Sequence, residues 1–363
     1  MIKYSIKSED GIDKFEILMN SLKKAGAAAA VLSSFESIRW ISGFSGEGYV
    51  LVSGAARVVF TDARYTGQAA LEAKGFEVIE ATRHDMLEKV NDRLKRLKAD
   101  KAGVEFDALS VSEFYAMRDA LNASLVNIDD CRLWRMVKTE DELAVMRRAA
   151  SIAEEAFSKT LLLVKPGMSE MDAATELDYN MRKLGAQGQA FDTIAAAGPN
   201  AAMAHHRPSN KKFEPGEGIV FDFGCVVSGY RSDMTRTVFI GNPDKQMRDV
   251  YDIVLRAHME ALAQVRDGVL CRYVDAAARD VITAAGYGEK FGHGTGHGVG
   301  LAIHEAPTLN AVSRDTLKSG MTVTVEPGIY ISGVGGVRIE NLVAVTKDGY
   351  EDFCSFSREL LIL

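Results

Sequence analysis

Asp222-Phe-Gly-Cys-Val-Val-Ser-Gly-Tyr-Arg-Ser-Asp233 lies within the longer run GIVFDFGCVVSGYRSDMTRTVFIG. Ile219, Val226, Val227, Val238 and Ile240 favour extended backbone, and Ser228-Gly229 is a turn signal. The run reads as an antiparallel hairpin. A tight turn centred between Val227 and Ser228 sets Asp222 opposite Asp233. Facing residues have Cβ atoms only ~4.5–5.5 Å apart, so two such carboxylates repel. They are also costly to desolvate within an apolar hairpin, and a bound cation relieves both problems.

A second run, VTVEPGIYISGVGGVRIENLVAV, repeats the pattern. Its turn centres on Gly333, which sets Glu326 opposite Glu340. Between the two hairpins, FGHGTGHGVGLAIHEAP supplies His293, His297 and His304. Four carboxylates balance two divalent cations, and one imidazole completes a two-metal donor set. His297, flanked by glycines, is the favoured nitrogen donor, although spacing alone does not choose between it and His293. A histidine among glycines also suits a plain loop, and the same holds for His304-Glu305 and His205-His206. Each acid taken singly would read as a surface residue. The metal reading rests on two facing pairs in apolar strands. Oxygen-rich ligation with one imidazole and no thiolate suits Mn²⁺, Fe²⁺, Co²⁺ or Zn²⁺. Two such ions generate a bound hydroxide near neutral pH and polarise the carbonyl it attacks. Nearby histidines donate to a developing oxyanion. From the residues alone, the reading is a metal-assisted hydrolase.

The whole chain sets the limits. With 363 residues it accommodates two domains. It is 47% hydrophobic and 26% charged, with a net charge of −7, which argues against nucleic acid or an anionic membrane as partner. The basic stretch Arg93 to Lys98 suits an exposed helix face. MIKYSIKSEDGIDKF has no apolar core, so no signal peptide is expected, and the run Ala25 to Leu32 is too short to span a bilayer. Cys131, Cys225, Cys271 and Cys354 are scattered, which suits reduced thiols in a cytoplasmic protein. Cys225 alternates away from Asp222 and reads as structural. Met203, Met234 and Met321 read as packing residues.

Residues 1–130 read as an α/β domain. Helices are expected over 12–24, 65–74 and 86–97, and strands over 27–32, 48–52, 57–61, 76–80 and 101–105. GFSGEG (Gly43 to Gly48) lacks the spacing of a nucleotide-binding loop. Residues 131–138 read as a linker. A capping box at Thr139-Glu-Asp-Glu142 opens a long helix with Leu143, Met146, Ala150, Ala153 and Phe157 on one face. Further helices are expected from Ser169 to Gly185, Asp244 to Arg266 and Tyr273 to Ala285, with a strand over 190–196. Residues 139–363 are thus an α+β domain, and its two acidic hairpins hint at an old duplication.

DFGCVVSGYRSDMTRT, HGTGHGVGLAIHE, VEPGIYI and GVRIEN resemble the signature segments of the creatinase/aminopeptidase ("pita-bread") metallopeptidase family. The match is closest to its Xaa-Pro aminopeptidase and Xaa-Pro dipeptidase (prolidase) members. SIRWISGFSGEGYVLV, FTDARYTGQA and SRELLIL extend it over essentially the whole chain. The resemblance implies a creatinase-type N-terminal α/β domain and a pita-bread catalytic domain. It implies two divalent ions, with manganese favoured, held by Asp222, Asp233, His297, Glu326 and Glu340. Asp233 and Glu340 would bridge, and Glu326 would double as proton shuttle. In GPNAAMAHHRPS, His205 would contact substrate, with Ala204 replacing the family's usual proline. His304 would stabilise the tetrahedral intermediate, His293 would line the pocket, and Arg338 would orient the bridging carboxylates from behind. The substrate would be a peptide with proline second, cut before the proline, by a homodimer.

All five donors are intact, which sets aside creatinase itself and the family's non-catalytic relatives. Methionine aminopeptidases usually lack an N-terminal domain of this size. Some archaeal prolidases hold the substrate's free carboxylate with an arginine just after HE-x-P. Thr308 stands there, and threonine offers no charged fork. The reading therefore leans to an aminopeptidase P-like enzyme, with prolidase as the alternative unless another arginine serves, and a non-catalytic peptide-binding protein third.

Overall fold

The computed structural model describes residues 13–128 and 131–363, apart from the side chain of Cys131. The predicted helix start at Ile12 lies outside them, and the linker predicted over 131–138 holds a short helix, Cys131–Trp134. The chain divides into two compact units that meet at Arg135/Met136.

The first unit is built on a six-stranded mixed sheet. Its strands lie in the order Glu77–Glu80, Arg57–Thr61, Tyr49–Ser53, Ala29–Leu32, Lys101–Val104, Ser124–Asn127. The central strands are buried along nearly their whole length because helices cover the sheet. Every strand predicted here is present within a residue or two. Two helices and an edge strand, Phe35–Ser42, Val111–Ala120 and Ser124–Asn127, go beyond the prediction. Both helices start on serine caps, Ser34 and Ser110, and Ser110-Val-Ser-Glu113 is a complete capping box that the sequence reading passed over.

The second unit repeats one order of elements twice. Helices Glu140–Leu161 and Glu170–Lys183 precede the strand Ile194–Ala197 and the first acidic hairpin. Helices Lys245–Gln264 and Cys271–Ala284 precede the strand Gly296–Gly298 and the second. Each helix pair buries its apolar face in its own core. Thr139 caps the first helix as predicted, accepting from the Glu142 N–H while Glu142 accepts from the Thr139 N–H. The five residues predicted on its inward face are all buried. The predicted strand over 190–196 is shorter and later, at Ile194–Ala197. Cys225, Met234 and Met321 are buried as packing residues, whereas Met203 is half exposed and packs in neither core.

The two hairpins differ in how their registers were read. In the second, Gly328 pairs with Arg338 and Val325 with Asn341, so Glu326 and Glu340 face each other as expected. In the first, Asp222 pairs with Thr235, not Asp233. The turn is a two-residue loop of Ser228 (φ 46°) and Gly229 (φ 83°), both left-handed, which shifts its centre by one residue. Such turns match the twist of the flanking strands. Asp233 falls opposite Gly224, which leaves Asp222 and Asp233 as diagonal neighbours on one face.

Candidate metal centre

The second hairpin interrupts its pairing at its acids. The Glu326 N–H donates to Thr295 O (2.7 Å) and the Glu340 N–H to Thr235 O (3.1 Å), so each acid is tied to a strand outside its own hairpin. Gly296 permits this crossing, because a Cβ there would lie 2.0 Å from Thr324 O. Arg236 fixes the other side of Glu340, donating to the carbonyls of Thr235 (2.8 Å) and Glu340 (2.5 Å). Backbone, not side-chain reach, brings the acids together.

One donor atom each of Asp233, His297 and Glu340 lie within 4.8 Å of one another. His297 Nε2 is 3.4 Å from Glu326 Oε1 and 3.6 Å from Asp233 Oδ2. Its Nδ1–H donates to Gly298 O at 3.0 Å, which leaves the Nε2 lone pair aimed at those carboxylates. Burial lowers its pKa and favours the neutral ring. Asp222 Oδ2 accepts from Arg338 Nη2 at 2.5 Å, whereas its Oδ1 is buried without a partner. Asp233 and Glu340 are buried, and their pKa values lie well above the carboxylate range. Burial is the largest cause, followed by repulsion from Glu340, Asp222 and Glu326 for Asp233, and from Glu326 and Asp222 for Glu340. Burial also raises Glu326.

Four carboxylates and an unprotonated imidazole nitrogen converge, and one guanidinium answers them. The orphaned Asp222 oxygen and the lone pair facing acids are what a cation would satisfy. The residues present therefore fit divalent metal. Asp233, His297 and Glu340 are placed to share an ion, and Asp222 and Glu326 line the same cavity beside them.

A cavity of about 470 Å³ lies over this cluster. His205, His293 and His304 line it. His304 is exposed to it and sets its ring edge-on to His297, with centroids 4.5 Å apart. His293 accepts at Nε2 from the Tyr330 hydroxyl (2.9 Å) and donates from Nδ1 to Gly294 O (2.8 Å). Arg338 hydrogen-bonds Asp222 rather than Asp233 or Glu340, the acids expected to bridge, and also donates to Tyr330 (2.9 Å).

Several contributors were not read from the sequence. Tyr330 joins Arg338 to His293. It alternates from Glu326 through Gly328, which was signal enough to find it. Thr235 donates to Glu340 (2.6 Å) and accepts from Arg338 (3.0 Å). Only the corrected register brings Thr235 to Asp222. Glu170 is buried at the first turn of its helix and holds the loop bearing His205. Its carboxylate accepts from the N–H of Ala197 (2.8 Å) and Ser209 (3.0 Å), the Ser209 hydroxyl (2.6 Å), Asn200 (3.0 Å) and His206 Nε2 (2.9 Å). Nothing in its sequence position distinguishes it from an ordinary first-turn acid.

No helix among the described residues is long and apolar enough to cross a membrane. Comparison with known proteins agrees with this anatomy. Residues 144–347 match metallopeptidase family M24, and residues 15–137 match the creatinase/prolidase N-terminal domain. An uncharacterised peptidase of Bacillus subtilis, YqhT, is 36% identical over 96% of this chain and 100% of its own. A solved Xaa-Pro dipeptidase from Bacillus anthracis superposes with a TM-score of 0.94 at 40% identity, over 96% of this chain and 99% of its own. A solved X-Pro aminopeptidase from Thermotoga maritima does so with 0.89 at 37% identity, over 95% and 100%. The chain belongs to metallopeptidase family M24 and carries that family's creatinase/prolidase N-terminal domain.

Proposed function

We propose that this chain is a divalent-metal-dependent Xaa-Pro peptidase that hydrolyses the peptide bond before proline. The observation that carries the reading is the Asp233, His297 and Glu340 cluster, buried beneath a cavity that His205 and His304 line. The names of the solved relatives, an Xaa-Pro dipeptidase and an X-Pro aminopeptidase, share this bond. Asp222, Asp233, His297, Glu326 and Glu340 would hold the metal. The oxygen-rich donor set favours Mn²⁺. Bound metal would supply Lewis acidity and a nucleophile at neutral pH.

The chain's own residues supply the rest. Glu326, whose pKa burial raises, takes up and returns a proton at its carboxylate, which lines the cavity. His304 is held against His297 and donates to the oxygen that becomes negative as the carbonyl is attacked. His205 orients the substrate across the scissile bond. Arg338 holds Asp222, and through Tyr330 holds His293 at the wall. The chain works as a homodimer, as the family resemblance implies.

The test is hydrolysis by protein loaded with Mn²⁺, of an Xaa-Pro dipeptide beside a longer Xaa-Pro-Xaa peptide, with sedimentation run in parallel. Release of the residue before proline is expected and should vanish with chelator. Metal-loaded protein that cuts neither peptide would overturn the reading in favour of a peptide-binding role.

A further inference from the structure

We infer that Arg207 is the residue that recognises the free carboxylate of an Xaa-Pro dipeptide. The inference rests on the Xaa-Pro reading above and names a substrate class for it.

The argument is one of elimination within the cavity. A dipeptide ending in proline carries a carboxylate two bonds from its ring nitrogen. Cutting the bond before that nitrogen keeps the carboxylate inside the same cavity, and a buried anion needs a cation there. Arginine is the only permanently charged cation type in the lining, at positions 207 and 338. Arg338 is committed to Asp222, Tyr330, Thr235 and the Ala204 carbonyl behind the acids. His206 is spent on Glu170, His293 on Tyr330 and the Gly294 carbonyl, and His297 Nε2 faces Glu326 and Asp233, while His205 and His304 offer single ring nitrogens rather than a planar fork. Thr308 lines the cavity without charge, and its hydroxyl accepts from Asn310 (3.4 Å). Arg207 remains. It makes no hydrogen bond or ion pair with any described residue, not even with Asp192, which lines the same cavity.

Its backbone is held in place although its head is free. On one side the His206 ring is pinned to Glu170, and on the other Pro208 limits the chain and Ser209 is pinned to the same carboxylate. A planar guanidinium on a fixed backbone, opening into the substrate cavity, suits bidentate recognition of a carboxylate. Thr308 then ceases to be an obstacle to dipeptide cleavage, because the cation comes from the loop that also carries His205.

The experiment compares an Xaa-Pro dipeptide, the same dipeptide as its C-terminal amide, and a longer Xaa-Pro-Xaa peptide, using Mn²⁺-loaded parent, Arg207→Gln and Arg207→Lys. Calorimetric binding of free proline and of prolinamide to the same proteins gives a second readout. Parent protein is expected to favour the acid over the amide, in KM and in binding, by about tenfold or more. Arg207→Gln should raise the dipeptide KM by about that factor with little change in kcat, and should leave the amide untouched. Arg207→Lys should recover part of the loss. If the parent treats acid and amide alike, or Arg207→Gln weakens all substrates equally, the assignment falls while the Xaa-Pro reading stands. If no Xaa-Pro bond is cut but proline still binds in preference to prolinamide through Arg207, the Xaa-Pro reading falls and the carboxylate site stands.

Discussion

Arg338 Nη2 reaches Asp222 Oδ2 at 2.5 Å, with 4% and 14% of the two side chains exposed. Among the described residues, this guanidinium is the counter-charge hydrogen-bonded to the acid cluster. Arg338→Met should therefore leave Asp222 uncompensated, at a cost of about 3–5 kcal/mol in the metal-free protein. Added Mn²⁺ should recover part of it. Urea titration with and without metal measures both, and equal losses in the two conditions would place the role of Arg338 elsewhere.

Asp233→Asn makes the opposite prediction for the metal-free protein. It removes a charge that burial and three neighbouring acids disfavour. Metal-free Tm should rise by about 2–4 °C per kcal/mol relieved, while stabilisation by metal and hydrolysis are both lost. Scanning calorimetry with chelator and with Mn²⁺ separates the effects. A metal-free Tm that falls would show that Asp233 contributes packing rather than strain.

Glu170 links the start of a helix to the substrate loop. Burial alone would raise its pKa, but hydrogen bonds from Ser209, Ala197, Asn200 and His206 outweigh it and hold the carboxylate low. Glu170→Gln turns an acceptor toward donors, at about 1–3 kcal/mol for each group left unpaired. Stability should fall, and kcat/KM should drop more than tenfold through the displaced His205. Hydrogen exchange over residues 197–209 locates the damage. Unchanged protection there would refute the anchoring role.

His258 is buried in the helix Lys245–Gln264, and neither ring nitrogen has a hydrogen-bond partner. Burial, then Arg236 and Arg358, lowers its pKa well below the usual value. A depressed folded value means that the unfolded chain takes the proton first. Stability is thus complete above about pH 6.5 and is lost as pH falls below it. His258→Leu should flatten the decline between neutral and mildly acidic pH. Urea midpoints at pH 7.5 and 5 for parent and variant check this, and parallel declines would rule His258 out.

How much of this was legible in the sequence depended on turns. Gly333 marks its hairpin centre openly, so Glu326 and Glu340 could be placed opposite each other without a structure. Ser228 hides its own, because a left-handed serine is not what its side chain favours. The first register was therefore read one residue off centre, although the shared face of Asp222 and Asp233 survived the error. Tyr330 was within reach of simple alternation. Glu170 and Arg207 were not, since their importance comes from where a loop is tied and which charges elsewhere are already spent. Those are facts of tertiary packing.

The crossing of the Glu326 and Glu340 backbones onto foreign strands also bears on biosynthesis. Asp222 and Asp233 leave the ribosome before His297, Glu326 and Glu340 are made. No nascent chain ending before Glu340 holds the full donor set, and neither half of the duplicated pattern holds it alone. On the proposed assignment, peptide-cutting power is withheld until Glu340 has been made, and a chain released before that point carries acids but no working centre.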